Sequence, residues 1–261
     1  MKKTLFLLLA MIFAMQSWGQ STYIVANGTA TNSYLPVYGT WMDASQHDQF
    51  IYPVSEVAPL TGATISKMTF HASSTTSNSA WGGVTCVVSI GTPTESNYAS
   101  ATYNPVALTQ VYSGTLAVVN GILEFTFTTP YLFNGGNLLI DIVTTTAGSW
   151  SGMSFLGITS PNAGVWQYGS SSPTLENFVP KVTVEYTGGS PVVLTSAASS
   201  INATSTTLNG AYYNMTPTTY GFQYMLDAST DWSTATTVSA TTNPMSEIIT
   251  PLTPNTTYRF R

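Results

Sequence analysis

The chain has 261 residues, room for one large or two ordinary domains. Only 7% of them are charged, against about 25% in ordinary soluble domains, yet a 43% hydrophobic and 12% aromatic content excludes a disordered chain. Six basic side chains face eleven acidic ones, and no basic patch exists to neutralise phosphates, which excludes nucleic acid as a partner.

Lys2 and Lys3 precede the short apolar run Thr4–Met15, and Ser17 and Gly19 supply small residues at the −3 and −1 positions of a cleavage site. This pattern predicts a signal peptide over residues 1–19, cleaved after Gly19, and a secreted or outer-surface protein. The run is too short for a comfortable span, and no later stretch reads as transmembrane, so no membrane span is expected in the mature chain. Cys86 is the only cysteine, which rules out an intramolecular disulfide. It sits in an apolar run with no cation near it in sequence and reads as a buried hydrophobe.

Along the chain, Ser21–Val25 reads as a first strand, Asn27-Gly28 as a turn and Thr29–Ser33 as a loop. Pro36 makes Tyr34–Tyr38 an edge strand or an irregular lead-in. Asp43–Asp48 reads as solvent-facing, and Gln49–Tyr52 as a short strand closed by Pro53. Ser55–Leu60 reads as a helical turn or a loop, and Ala63–His71 alternates with Ile65, Met68 and Phe70 as core positions. Ser73–Ser79 is a polar loop, and Val84–Gly91 is a strand. Asn120-Gly121 is the strongest hairpin signal, leading into Ile122–Thr128, where Leu123, Phe125 and Phe127 alternate with polar residues. Asn137–Thr144 is apolar enough to be buried on both faces. Ser154–Gly157, Gly164–Tyr168 and Val179–Tyr186 complete the first set of strands. Gly188–Pro191 reads as a linker. It separates a first domain, 20–187, from a second, 192–261, with strands at Val192–Ala197, Thr206–Tyr212 and Thr219–Leu226. Many short strands and no amphipathic helix predict an all-β fold built of β-sandwiches, the first jelly-roll-like.

Two segments resemble known modules. Leu252-Thr253-Pro254-Asn255-Thr256-Thr257-Tyr258 resembles the tyrosine corner of fibronectin type III domains, and Thr206–Gly210 and Tyr220–Tyr224 are similar to their strands B and C. The resemblance implies that strand G and most of strand F lie beyond Arg261, making the chain the N-terminal part of a longer protein. Tyr34–Tyr38, Gln49–Pro53 and Ile65–Phe70, with Val111–Gly114, Phe125–Pro130 and Asn137–Ile140, resemble a recurring N-terminal domain. That domain occurs in secreted multidomain proteins of Gram-negative gut and oral bacteria, which look like adhesins or exported surface proteins. The resemblance supplies no catalytic residues to carry over.

No Gly-x-Ser-x-Gly elbow, His-Glu-x-x-His motif or Cys/His zinc spacing occurs, so no catalytic residue, metal ligand or cofactor is expected. His47 and Asp48, with Asp43, form the one acid–histidine cluster. It offers too few carboxylates for calcium and reads as a solvated loop. Asp141, inside an apolar strand, is a candidate buried acid. His71, at a strand end, reads as structural or exposed. Aromatics are the better lead. Trp150, Trp166 and Tyr168 lie in Gly/Ser-rich surroundings, as do Trp41 and Trp81, and exposed rings there stack on sugars; the competing role is core packing. The expected function is that of a non-catalytic, adhesin-like protein. Its N-terminal sandwich would bind a glycan or a host or other extracellular protein. The alternatives are accessory modules of an exported hydrolase whose catalytic domain lies beyond residue 261, and a structural spacer.

Overall fold

The computed structural model describes residues 20–74 and 81–261. The signal segment expected at 1–19 and residues 75–79 of the polar Ser73–Ser79 loop lie outside the described residues. The fold is all-β, and among the described residues no helix is long and apolar enough to cross a membrane.

Among the described residues, twelve strands form the N-terminal sandwich. They are β1 (Ser21–Val25), β2 (Ala30–Asn32), β3 (Gln46–Tyr52), β4 (Ala63–His71), β5 (Thr85–Gly91), β6 (Thr109–Thr115), β7 (Val118–Val119), β8 (Ile122–Phe133), β9 (Leu138–Thr146), β10 (Phe155–Tyr168), β11 (Thr174–Pro180) and β12 (Val182–Gly188). One sheet runs β1-β12-β4-β8-β7. The other runs β11-β10-β3-β9-β5-β6, with β2 also paired to β10, and every pairing is antiparallel. A single helical turn, α1 (Val54–Val57), continues into a 3-10 turn at Ala58–Leu60.

The first sheet follows from period-2 alternation: Leu123, Phe125 and Phe127 of β8 and Val182, Val184 and Tyr186 of β12 are buried, while Glu124, Thr126, Thr183 and Glu185 face outward. Ile65 and Met68 of β4 are three positions apart, which puts them on opposite faces of an unbroken strand. Both are nonetheless buried, because the pairing with β8 and β12 slips at Ser66 and the bulge returns Met68 to the core side. Ser66 Oγ donates to the Glu185 carbonyl at 3.2 Å, meeting a polar need at the bulge.

The second sheet is buried on both faces along β3 and β9. Phe50, Tyr52, Ile140 and Ile142 join the main core. Ile51, Leu139 and Val165 point the other way and are covered by Tyr98, Tyr103 and Val106 of the 92–107 segment. This accounts for the unbroken apolar run of β9. The strand expected at Ser154–Gly157 and the one at Gly164–Tyr168 are one strand, β10, with a register irregularity between Thr159 and Gly164. The loop expected at Thr29–Ser33 contains β2, whose small polar residues pair with the start of β10.

Six further strands, β13 (Val192–Ser199), β14 (Thr206–Tyr213), β15 (Gly221–Leu226), β16 (Thr236–Ser239), β17 (Met245–Ile249) and β18 (Tyr258–Phe260), form sheets β13-β14-β17 and β16-β15-β18 around Leu208, Phe222, Met245 and Ile249. A cleft of about 500 Å³ opens between these sheets beside Leu208, Tyr224, Ile249, Leu252 and Phe260. Thr253 N–H donates to Tyr258 Oη at 3.1 Å. The expected linker is a short, fixed junction. Ser190 N–H donates to the Thr61 carbonyl at 2.7 Å, Tyr186 Oη donates to Asn214 Oδ1 at 3.2 Å, and Asn214 Nδ2 donates to the Pro59 carbonyl at 2.9 Å. The Tyr23 and Tyr213 rings meet edge to face at 5.2 Å.

At Gly157 of β10 the backbone of β11 comes so close that an added methyl would collide with the Val179 carbonyl oxygen and the Phe178 ring. Gly157→Ala is expected to destabilise the N-terminal sandwich by about 1–3 kcal/mol. A urea unfolding midpoint equal to that of the parent would show that the two strands do not approach this closely.

Candidate functional site

Strands β2 and β3 pair with successive stretches of the same edge of β10, so the chain between them, residues 33–45, must leave the sheet and return to it. It forms a strap whose Leu35, Val37 and Met42 are buried in the main core. Side-chain amides hold both of its ends. Asn32 Oδ1 accepts from the backbone N–H groups of Tyr34 and Leu35 at 2.8 and 3.0 Å. Gln46 accepts from Tyr38 N–H and donates back to the Tyr38 carbonyl, both at 3.0 Å, and donates also to the Trp41 carbonyl. Trp81, fully buried, donates its indole N–H to the Gly39 carbonyl at 3.0 Å. The loop between β9 and β10 is bound alongside, with Gly148 N–H donating to the Met42 carbonyl at 2.7 Å and Ser151 N–H to the Thr40 carbonyl at 2.9 Å.

This framework gathers the aromatic candidates at one end of the sandwich. Trp150 is 65% exposed and Trp41 42% exposed, on the two bonded loops. Trp166 and Tyr168 project from the end of β10 and are half-buried. The Trp166 ring stacks on Tyr34 at 4.4 Å and meets Tyr38 edge to face at 5.1 Å. Tyr168 bridges Tyr38 at 6.0 Å and Trp41 at 6.1 Å. Its hydroxyl donates to Asp43 Oδ1 at 3.0 Å. The five rings form one continuous array, from Tyr34 inside to Trp41 outside. Of the sequence candidates, Trp150 and Trp41 present surface, Tyr168 links surface to interior, and Trp166 packs against the core. Trp81 is wholly structural. Tyr34 and Tyr38 join the array only because the strap folds back over β10.

His47 and Asp48 do not lie in a solvated loop, contrary to the sequence expectation. They belong to β3, and alternation sends them to opposite faces. Asp48 follows Phe50 and Tyr52 inward and is fully buried, directly across from Trp166. Among the described residues, both Asp48 carboxylate oxygens and Trp166 Nε1 have no hydrogen-bond partner. Burial, and secondarily the charge of Asp141, hold the Asp48 carboxyl well above the usual carboxylate range. On the opposite face Asp141, buried as suspected, accepts from Gln49 Nε2 at 2.8 Å and meets His47 Nε2 at 2.7 Å. Tyr103 stacks on the His47 ring at 3.6 Å and donates its hydroxyl to the His47 carbonyl at 2.8 Å. Tyr98 and the Asn104 N–H both donate to Gln49 Oε1, at 3.0 and 2.8 Å. The network fastens the 92–107 segment to the sheet, which gives the histidine–acid pair a structural task.

Cys86 is buried, and burial pushes its thiol up to about 12, far from a reactive thiolate. His71 bonds to Thr183 Oγ1 at 2.8 Å across β4 and β12. Among the described residues no group of three or more His, Cys, Asp or Glu side chains is placed to hold a metal ion. Compared with known proteins, the chain matches no protein-family model, no curated protein and no solved structure.

The unfolded chain ionises Asp48 near the ordinary value of 3.8, the folded chain only at higher pH. Folding therefore takes up a proton above pH 3.8. The stability that Asp48 permits is complete below that value and is lost as pH rises toward the folded pKa. Asp48→Asn keeps the shape and removes the charge. It is expected to raise stability near pH 7 by about 1–2 kcal/mol, with the gain vanishing near pH 4. Thermal unfolding across that range checks this, and a gain independent of pH would refute the buried carboxylate.

Proposed function

We propose that the chain is a non-catalytic binding protein, secreted or displayed at the cell surface, whose N-terminal sandwich takes a glycan on the aromatic end around Trp41, Trp150 and Tyr168. The observation that carries this reading is the exposure of two tryptophans on loops bound to each other by backbone hydrogen bonds. An indole ring offers a flat apolar face that stacks on the C–H face of a sugar ring. Loops already fixed by main-chain bonds lose little further entropy when a ligand docks. Because the strap is anchored through Gln46, Asn32 and Trp81, the rings are presented by the sheet rather than by a free loop. The apolar N-terminal pattern supports export, and the resemblance of the first domain to modules of secreted bacterial proteins supports a surface role.

The reading predicts that Trp41→Ala and Trp150→Ala, alone or together, leave the unfolding midpoint within about 1 °C of the parent, because both rings are exposed. On a glycan array and in calorimetry with the best hit, each is expected to weaken binding at least about tenfold, or about 1.4 kcal/mol. Glycan binding unaffected by the double variant would remove this end of the sandwich from the site.

A further inference from the structure

The charge distribution around the aromatic end selects among glycans. Asp43 is the only charged residue in the strap, residues 33–45, and the 147–154 loop beside it has none. Its carboxylate is exposed on one side and held on the other by the Tyr168 hydroxyl at 3.0 Å, next to the ring pair Tyr168 and Trp41. The basic residues of the described chain are elsewhere. Lys67 lies between Glu124 and Glu185 on the first sheet, at 3.2 and 2.5 Å. Lys181 sits at the turn between β11 and β12, and Arg259 and Arg261 belong to the C-terminal sandwich. Among the described residues, no cation at the aromatic end pairs with Asp43.

An indole face and a phenol face both present the negative side of their quadrupole, and a fixed carboxylate beside them adds a full negative charge. A group with positive charge and N–H donors gains from all three. An acidic sugar is repelled by all three, and a neutral one gains only from stacking. We infer that the glycan taken by this site carries free amino groups, with an ammonium seated against Trp41 and Tyr168 and donating to Asp43, which makes Asp43 the residue that sets specificity. This rests on the glycan-binding reading above and adds the charge of the ligand. Tyr168 is a positioning residue, since its hydroxyl fixes the carboxylate beside the rings.

The test compares three oligosaccharides of equal length by calorimetry on the full chain: a glucosamine oligomer, its fully N-acetylated form, and an oligogalacturonate. The glucosamine oligomer is expected to bind on the order of tenfold more tightly than the acetylated one, and the acidic oligomer not measurably. In Asp43→Asn the side-chain oxygen still accepts from Tyr168 while the charge is gone. The two hexosamine oligomers should then bind within about twofold of each other, and the salt dependence of the stronger one should flatten. An unchanged unfolding midpoint shows that the exposed substitution leaves the fold intact. Equal affinity for the amine and its acetylated form in the parent overturns the inference and leaves the glycan reading standing. Binding of none of the three while the tryptophans still govern binding to another neutral glycan overturns it in the same way. Binding of an oligolysine peptide with no glycan bound by the chain overturns both, in favour of a basic protein partner.

Discussion

The inner face of β3 runs past the end of the hydrophobic core, and most of the architecture of the candidate site follows from that. Strand alternation leaves no choice: once Phe50 and Tyr52 point inward, Asp48 and Gln46 must do so too. These two positions are polar, so the sheet needs a cover that brings its own hydrogen bonds. The strap meets the need at Gln46, whose amide exchanges bonds with the Tyr38 backbone, and it leaves Asp48 unmet. Covering the end of β3 with Leu35, Val37 and Met42 leaves Tyr38 half-buried and Trp41 exposed between them, and both join the ring array. The ring array is thus the outer side of a structural patch over a polar strand end.

The second face of the same strand is closed differently. Gln49 is the hub. Its amide nitrogen serves Asp141 and its oxygen takes bonds from Tyr98 and Asn104, so one buried side chain couples β3, β9 and the 92–107 segment. A buried polar network in which each member is bonded stabilises; one that loses a partner leaves the rest exposed to the full desolvation cost. A chain with one cysteine and no disulfide has no covalent staple to limit such a loss. Its stability depends on these polar contacts being complete, and this makes the incomplete environment of Asp48 an outlier within its own sheet.

Much of the fold is legible in the sequence where local pattern suffices. The Asn120-Gly121 signal joins β7 to β8 with both turn residues at positive φ, and Val119 pairs with Ile122 across it. The alternation in β8 and β12 and the two-faced burial of β9 follow directly from residue type. What was not legible depends on partners far away in the chain. Ala30–Asn32 has no strand pattern of its own and is a strand because β10 supplies the ladder. The polar start of β3 looks like loop because its apolar cover is brought in by the strap from ten residues upstream. For the site, the exposure of Trp150 is consistent with its Gly/Ser surroundings, but Trp166 lies in a similar context and is packed. The difference is Tyr34, stacked on it by a chain reversal that no local pattern encodes.

The junction to the C-terminal sandwich belongs to the other end of β3. The strand leads from Gln46, at the aromatic array, to Tyr52, and then through α1 to Pro59 and Thr61, the two carbonyls that accept from Asn214 and Ser190. Six residue steps at about 3.3 Å put the array roughly 20 Å from the beginning of that connection. The same strand that forces the array to exist also holds it away from the second sandwich. The contacts of Tyr23 with Tyr213 and of Tyr186 and Pro59 with Asn214 fix the second sandwich at the far end of that strand. Orientation is therefore built in: the aromatic array and the C-terminal sandwich are tied to opposite ends of one strand, β3, whose two ends are fixed by the strap and by the junction bonds.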